Sequence, residues 1–244
     1  MFDLESIKAQ LAPTGVLRAG INLSNFLLVS SRAGDGTPQG ISPDMAGWVA
    51  AELDVACEFV TFDRPGELAD AVDDGLWDIG NIAYEAERAQ AIDFSNPYVV
   101  IDANFLLPEG SDFVVNTDVD QAGVKIAVSE RSAYDLWLTD HIREAEILRA
   151  PSIAAAHQMF HDGLANVLAS LKPKLLEEIA ADPALRIIEQ PFTAVKQSIG
   201  VRRGQPAAVN FLNELIARRA TDGSIARSLI IHNVEEKLSI PKFS

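Results

Sequence analysis

Apolar and polar positions along this chain repeat with two periods, and each change of period marks a new element. VLRAGIN, Val16–Asn22, reads as a strand. Ser42 and Pro43 then open a helix, with serine as its N-cap and proline at its first position. Met45, Trp48, Val49 and Leu53 form the apolar stripe of that helix. CEFVTF, Cys57–Phe62, is a second strand; PGELADAVDDG, Pro65–Gly75, is a short helix stopped by glycine. WDIGNIA, Trp77–Ala83, is a third strand. The β-α-β-α-β order predicts a parallel sheet covered by helices, an α/β fold.

After Tyr98 an extended apolar run, VVIDANFLLPEG, ends in a turn, and a second series begins. Val124–Ser129 is a strand, Ser132 caps a helix through Ile142, and EILRA is another strand. Ser152 caps a helix that ends at Asp162 and Gly163; RIIEQ and AVKQSIGVRRG are the last strand candidates. Two helices follow, residues 206–220 with Leu212, Leu215 and Ile216 on one face, and Ser224–Ile231. Two βα series with an extended connector predict two lobes and a cleft. Ligands of such sheets bind beyond the carboxyl ends of strands, near helix N-termini.

Charge narrows the partner. The chain of 244 residues carries 20 Lys and Arg against 35 Asp and Glu, net −15. Nucleic-acid binding needs a basic face to displace counterions, so that class is excluded. A small anion is not, because one pocket can be positive inside a negative shell. No apolar run approaches the ~18–20 residues of a membrane helix. The first residues, MFDLESIKAQLAPTGVL, include Asp3 and Glu5 and lack the apolar core of a secretory signal. They fit either a cytoplasmic protein starting at Met1 or a mature chain given a new methionine. Cys57 is the only cysteine and lies in an apolar run, which reads as a buried inert thiol.

Several side chains could carry chemistry. Arg88 follows the third strand after a short loop, and a guanidinium can grip one carboxylate with two parallel hydrogen bonds. In the stretch EAERAQ, local pattern alone favours a solvated cation or one paired to a neighbouring glutamate. Ser132 sits where a strand passes into a helix, so its hydroxyl and the following amides form either a helix cap or an anion site. Arg131 beside it adds a charge or faces water. His157 and His161 are four apart, close enough to share a metal, but no Cys or HExxH pattern supports one. GDGTPQG lacks the lysine of a phosphate loop, and NVLASLKP lacks the G-x-S-x-G of a hydrolase elbow. No cofactor is expected.

Five stretches together resemble the amino-acid-binding branch of the type II periplasmic solute-binding proteins of ABC transporters, bacterial extracellular solute-binding family 3. They are GISPDMA, ELADAVDDGLWDIGNIA, ERAQAIDFSNPY, VKIAVSERSAYD and LNELIARRATDGSIARSLI. The third is the most specific, matching E-R-A-x-x-hydrophobic-D-F-S-x-P-Y nearly position for position. The resemblance implies a two-lobe fold with two crossover strands, lobe 1 being about residues 1–98 plus 197–244 and lobe 2 about 99–196. It implies that Arg88 grips a ligand carboxylate and that Ser132 helps from the second lobe. Phe26 would cover the ligand, and Asn81 and Ala83 would hydrogen-bond it, Ala83 through its backbone alone.

Departures from the family pattern bear on the ligand. Asn166 and Leu171 stand where the family usually has two aspartates, the second pairing with an α-ammonium. A buried unpaired charge is expensive. The ligand is therefore expected to be a carboxylate without an α-amino group, unless Glu85 or Glu130 supplies the missing acid. Arg131 replaces a family glycine and widens the class to doubly anionic ligands. The expected function is a monomeric, non-enzymatic solute-binding protein delivering a small carboxylate or amino-acid-like ligand to an ABC permease, periplasmic by resemblance. The alternatives are a cytoplasmic ligand sensor or orphan binding protein, and a cyclohexadienyl-dehydratase-like enzyme using Glu85, Glu130 or Asp135 as general acid.

Overall fold

The structure is a computed structural model and describes residues 3–242; Met1, on which one reading of the N-terminus turned, lies outside them. The elements follow in chain order. Helix α1 is Leu4–Leu11, β1 Val16–Asn22, β2 Ser31–Arg32, β3 Pro38–Gln39, α2 Ile41–Glu52, β4 Ala56–Phe62, α3 Pro65–Asp70, β5 Ile79–Ala83, β6 Ile92–Phe94 and β7 Val99–Pro108. Next come β8 Lys125–Ser129, α4 Ala133–His141, β9 Glu146–Ala150, α5 Ile153–His161, β10 Val167–Leu171 and α6 Lys172–Ala181. Strands β11 Leu185–Ile187 and β12 Thr193–Arg202, then α7 Pro206–Thr221 and α8 Ser224–Ile231, complete the chain. Two compact units result: one runs to Val100 and resumes at Lys196, and the other is Ile101–Val195.

In the first unit the strand order is β4-β1-β5-β12, with β6 paired to β12. β4, β1 and β5 are parallel, as the βαβ order predicts; β12 runs antiparallel to β5, and β6 antiparallel to β12. The predicted parallel strands are thus joined by two antiparallel ones. The chain crosses between units within β7 and β12, and those strands lie outside the helix-linked series that forces parallel pairing. Strand β5, wholly buried, is pinned at its approach: Arg18 makes a two-pronged ion pair to Asp78, with its Nη2 2.6 Å from Oδ1, and donates to the Gly75 carbonyl. Behind the sheet, Leu68, Trp77, Ile82 and Ile92 form a cluster. A Cβ on Gly20 would lie 3.2 Å from the Trp77 ring, so the strand approaches the indole through its glycine.

Strand β7 of the second unit pairs with β10 and β11 antiparallel, and β8 lies between β10 and β9 in parallel. Phe160, Leu168 and Leu175 fill the core beneath them. Here β10 and α6 were not foreseen. VLASL is a run of only five residues, all of them buried, and a fully buried strand carries no alternating signal. Pro173, in the first turn of α6, is compatible with a helix start.

Two local expectations change. Ser42 does not cap α2, which begins at Ile41 with Gly40 at the cap position. The Ser42 hydroxyl is instead buried against the Tyr98 hydroxyl, 2.8 Å away. The helix expected over Pro65–Gly75 ends at Asp70, and the chain turns through Gly75 at φ 61.

Gly40 has φ 150, and a Cβ there would sit 2.2 Å from the Leu28 carbonyl oxygen. Gly47, inside α2, has open space around it. Urea unfolding is expected to show Gly40→Ala destabilised by roughly 3 kcal/mol or more. Gly47→Ala should be stabilised by about 0.5–1 kcal/mol. Equal effects would refute this assignment of backbone constraint.

Candidate functional site

In the first unit, side chains of a strand alternate between faces, so Asn81 and Ala83 share one face of β5. The Asn81 amide is 1% exposed, and neither its Oδ1 nor its Nδ2 has a hydrogen-bond partner. Arg88 begins a single 3-10 turn, Arg88–Gln90, held by the Ala89 amide donating to the Glu85 carbonyl. That turn is too short to present a surface face. It folds the guanidinium back on its strand, where Nη1 donates to the Ala83 carbonyl at 2.9 Å. Arg88 is only 6% exposed, so the solvated cation favoured by local pattern is not what forms. Glu85 is half-buried in the connecting loop. Phe26, also half-buried, sits in a turn after β1 organised by Asn25, whose carbonyl accepts from the Leu28 and Val29 amides.

Ser132 of the second unit caps α4, its hydroxyl accepting from the Asp135 amide at 3.1 Å. Asp135 returns the favour: its Oδ2 accepts from the Arg131 amide at 2.7 Å, and Arg149 Nε lies 2.9 Å from Oδ1. Burial pushes the Asp135 carboxyl up, against the pull of the Arg131 amide and the Arg149 charge. Arg131 itself lies at φ 54, a left-handed conformation that costs a side-chain-bearing residue about 1 kcal/mol. Glu130 is exposed. Behind Ser132, the Tyr134 hydroxyl is buried without a hydrogen-bond partner. Burial pushes its phenol up to about 12, with the Ser132, Ser170 and Ser129 hydroxyls opposing the shift.

Leu171 closes β10 as a buried apolar side chain, and Asn166 accepts from the Lys125 amide at the start of β8. The two histidines do share a partner, but it is a carboxylate. His157 Nδ1 lies 2.6 Å from Glu178 Oε1, and His161 Nε2 lies 2.8 Å from Oε2. No group of three or more metal-binding side chains occurs among the described residues. The other ring nitrogen of His157 meets the Ser170 hydroxyl at 3.1 Å, giving a Ser170–His157–Glu178 line. Ser170 is 1% exposed, and the line ties β10 to α5 and α6. Sequence reading missed this connection; the four-residue histidine spacing was its only trace. Cys57 is half-buried, more open than expected, and burial raises its thiol to about 11, away from nucleophilic range.

The family model for bacterial extracellular solute-binding proteins, family 3, matches residues 18–230. The chain belongs to this family. A curated relative of this solute-binding protein, the L-cystine-binding protein TcyJ of Escherichia coli (strain K12), is 22% identical over 92% of this chain and 85% of its own. Two solved structures share the fold. The solute receptor for L-cysteine of Neisseria gonorrhoeae has a TM-score of 0.76 at 20% identity, covering 98% of this chain and 99% of its own. The ancestral amino acid-binding protein AncCDT-1, a precursor of cyclohexadienyl dehydratase, has a TM-score of 0.72 at 24% identity, covering 96% and 98%. Among the described residues of this family 3 protein, no helix is long and apolar enough to cross a membrane.

Burial pulls His157 below its ordinary value near 6.5, with Glu178 opposing. Burial pushes Glu178 up, but the hydrogen bonds from His157 and His161 outweigh it and hold the carboxylate below its ordinary 4.5. Both groups bind protons more tightly when unfolded, so their contribution is complete above those ordinary values and is lost as pH falls below them. Thermal unfolding followed by circular dichroism should therefore show the midpoint falling below pH 6.5. The same scan on His157→Gln should lack that first fall, and identical pH profiles for the two proteins would refute the linkage.

Proposed function

We propose that this solute-binding protein takes a small carboxylate of amino-acid-like size, with Arg88 as the carboxylate clamp. One observation carries the reading: a buried guanidinium and a buried, unpartnered Asn81 amide are supplied by β5 and the turn just after it. An arginine held out of water keeps its full charge and the strength of its charge-assisted hydrogen bonds. Ser132, at the α4 N-terminus of the second unit, is a further ligand-binding hydroxyl in this reading, and the two units correspond to the two lobes. Asn81 and the Ala83 backbone add hydrogen bonds, Phe26 covers the ligand, and Glu85, Glu130 and Arg131 tune its charge.

The relatives support an amino-acid-like ligand, since TcyJ is named for L-cystine and the Neisseria receptor for L-cysteine. Leu171 narrows that class. With an apolar side chain where the family pattern has an acid, a free α-ammonium has no counterion there, which favours carboxylates lacking one. The protein acts by binding and not by catalysis. Of the three acids weighed as a general acid, Asp135 is engaged by Arg149 and the Arg131 amide, and Glu130 is exposed. Delivery to an ABC permease from the periplasmic side, as a monomer, completes the proposal.

Calorimetry on the full chain tests the clamp. Arg88→Ala should lower affinity by roughly 100-fold and Arg88→Lys by at least about tenfold, because lysine keeps the charge and loses the fork. Unchanged affinity in both would sink the role. A thermal-shift screen of carboxylates against free α-amino acids tests the ligand class. Stabilisation by carboxylates without an α-amino group is expected; stabilisation by standard amino acids alone would overturn the reading from Leu171.

A further inference from the structure

The first unit contains a recess of about 420 Å³ that none of the ligand roles above uses. Its walls come from Tyr84, the Phe94–Pro97 segment, Lys196 and Ser198. Strand register separates it from Asn81. In the antiparallel ladder Ser198 faces Ile82 and Gln197 faces Ala83, so Ser198 and Ile82 point to one side of the sheet. Asn81 and Ala83 point to the other.

Three features make the recess a receptor for a particular chemistry. Ser198 lines it and is 1% exposed, and its hydroxyl has no hydrogen-bond partner. Leaving a buried hydroxyl unmet is costly, and an occupant with an acceptor oxygen would recover that cost. Lys196 is exposed on the same wall and makes no ion pair among the described residues. The acid beside it, Asp93, is committed elsewhere: its Oδ2 accepts from the Gly204 amide at 2.7 Å and the Gln205 amide at 3.2 Å. Asp93 stays charged, but two amides hold its carboxylate, and Lys196 is the cation an occupant meets. Tyr84, 45% exposed, stands edge-on to Phe94 with ring centroids 5.4 Å apart. With Pro97 it offers an apolar wall for a flat body. The volume falls in the range of small-molecule sites, which combine apolar walls with a few convergent polar groups.

We infer that this recess is a second small-molecule site of the first unit, and that it takes a compact ring-bearing carboxylate. The carboxylate meets Lys196 and the Ser198 hydroxyl, and the ring lies against Tyr84 and Pro97. The inference stands apart from the Arg88 reading, because the two sets of groups are on opposite faces of β5 and β12.

Benzoate is the probe, with benzamide as its neutral isostere and benzylammonium as its cation. Titration of the full 15N-labelled chain with benzoate, to about 20 mM, should give saturable shifts of the Tyr84, Phe94, Ser95, Lys196 and Ser198 amides. Lys196→Gln, at an exposed position, should weaken benzoate about tenfold, and benzamide should bind the wild type about tenfold more weakly. Tyr84→Ala should weaken all ring probes alike. No saturable shift at those amides would overturn the site. So would benzoate affinity unchanged by Lys196→Gln, or benzylammonium binding as tightly as benzoate. Shifts confined to Asn81 and Arg88 would overturn it too while leaving the clamp reading intact; loss of the clamp alone would leave these shifts in place.

Discussion

Keeping the Arg88 guanidinium out of water would cost several kcal/mol if its donors were unmet, and the first unit is arranged around that requirement. The Ala83 carbonyl meets one donor from the strand end itself. That strand, β5, lies between β1 and β12: β12 pairs along it as far as Ala83, and β1 as far as Asn81. Behind it, glycines let the sheet press directly on Trp77 and Leu68, and the Arg18–Asp78 pair fixes where the strand begins. A charge buried on so rigid a support has little freedom to reorient, which is what a specific contact with an anion needs.

The second unit meets its polar demands with hydroxyls, imidazoles and two engaged carboxylates, Asp135 and Glu178. Ser132 and Asp135 satisfy the first turn of α4 and the Arg131 amide between them, so the α4 N-terminus is ordered. Deeper in, the Ser170 hydroxyl meets His157, which in turn meets Glu178. Hydroxyls and imidazoles can both donate and accept, so this line can change its hydrogen-bond direction without burying a new charge.

Legibility followed the reach of the signal. Strand β1 and helices α4 and α5 were read to within about a residue because each is announced locally, by an apolar run or a serine that accepts a hydrogen bond three residues on. Ser42 carried the same local signal and misled. Its hydroxyl is taken by Tyr98, a partner 56 residues away that no window of sequence contains. Strand β10 was missed for the opposite reason: buried on both faces, its five residues show no alternation. The histidine pair was noticed for its spacing, but Glu178, which binds both, lies on a different helix.

By itself the sequence determined the fold class, the family and the order of most elements. These rest on periodicity, caps and short motifs, all encoded within a few residues. Only the tertiary structure decided which polar groups are inside. Arg88 is buried because a single turn folds it back on β5, and Asn81 and Ser198 are buried because β5 and β12 pair and point them to opposite faces. Burial depends on what other parts of the chain cover, and that information is distributed over segments more than a hundred residues apart.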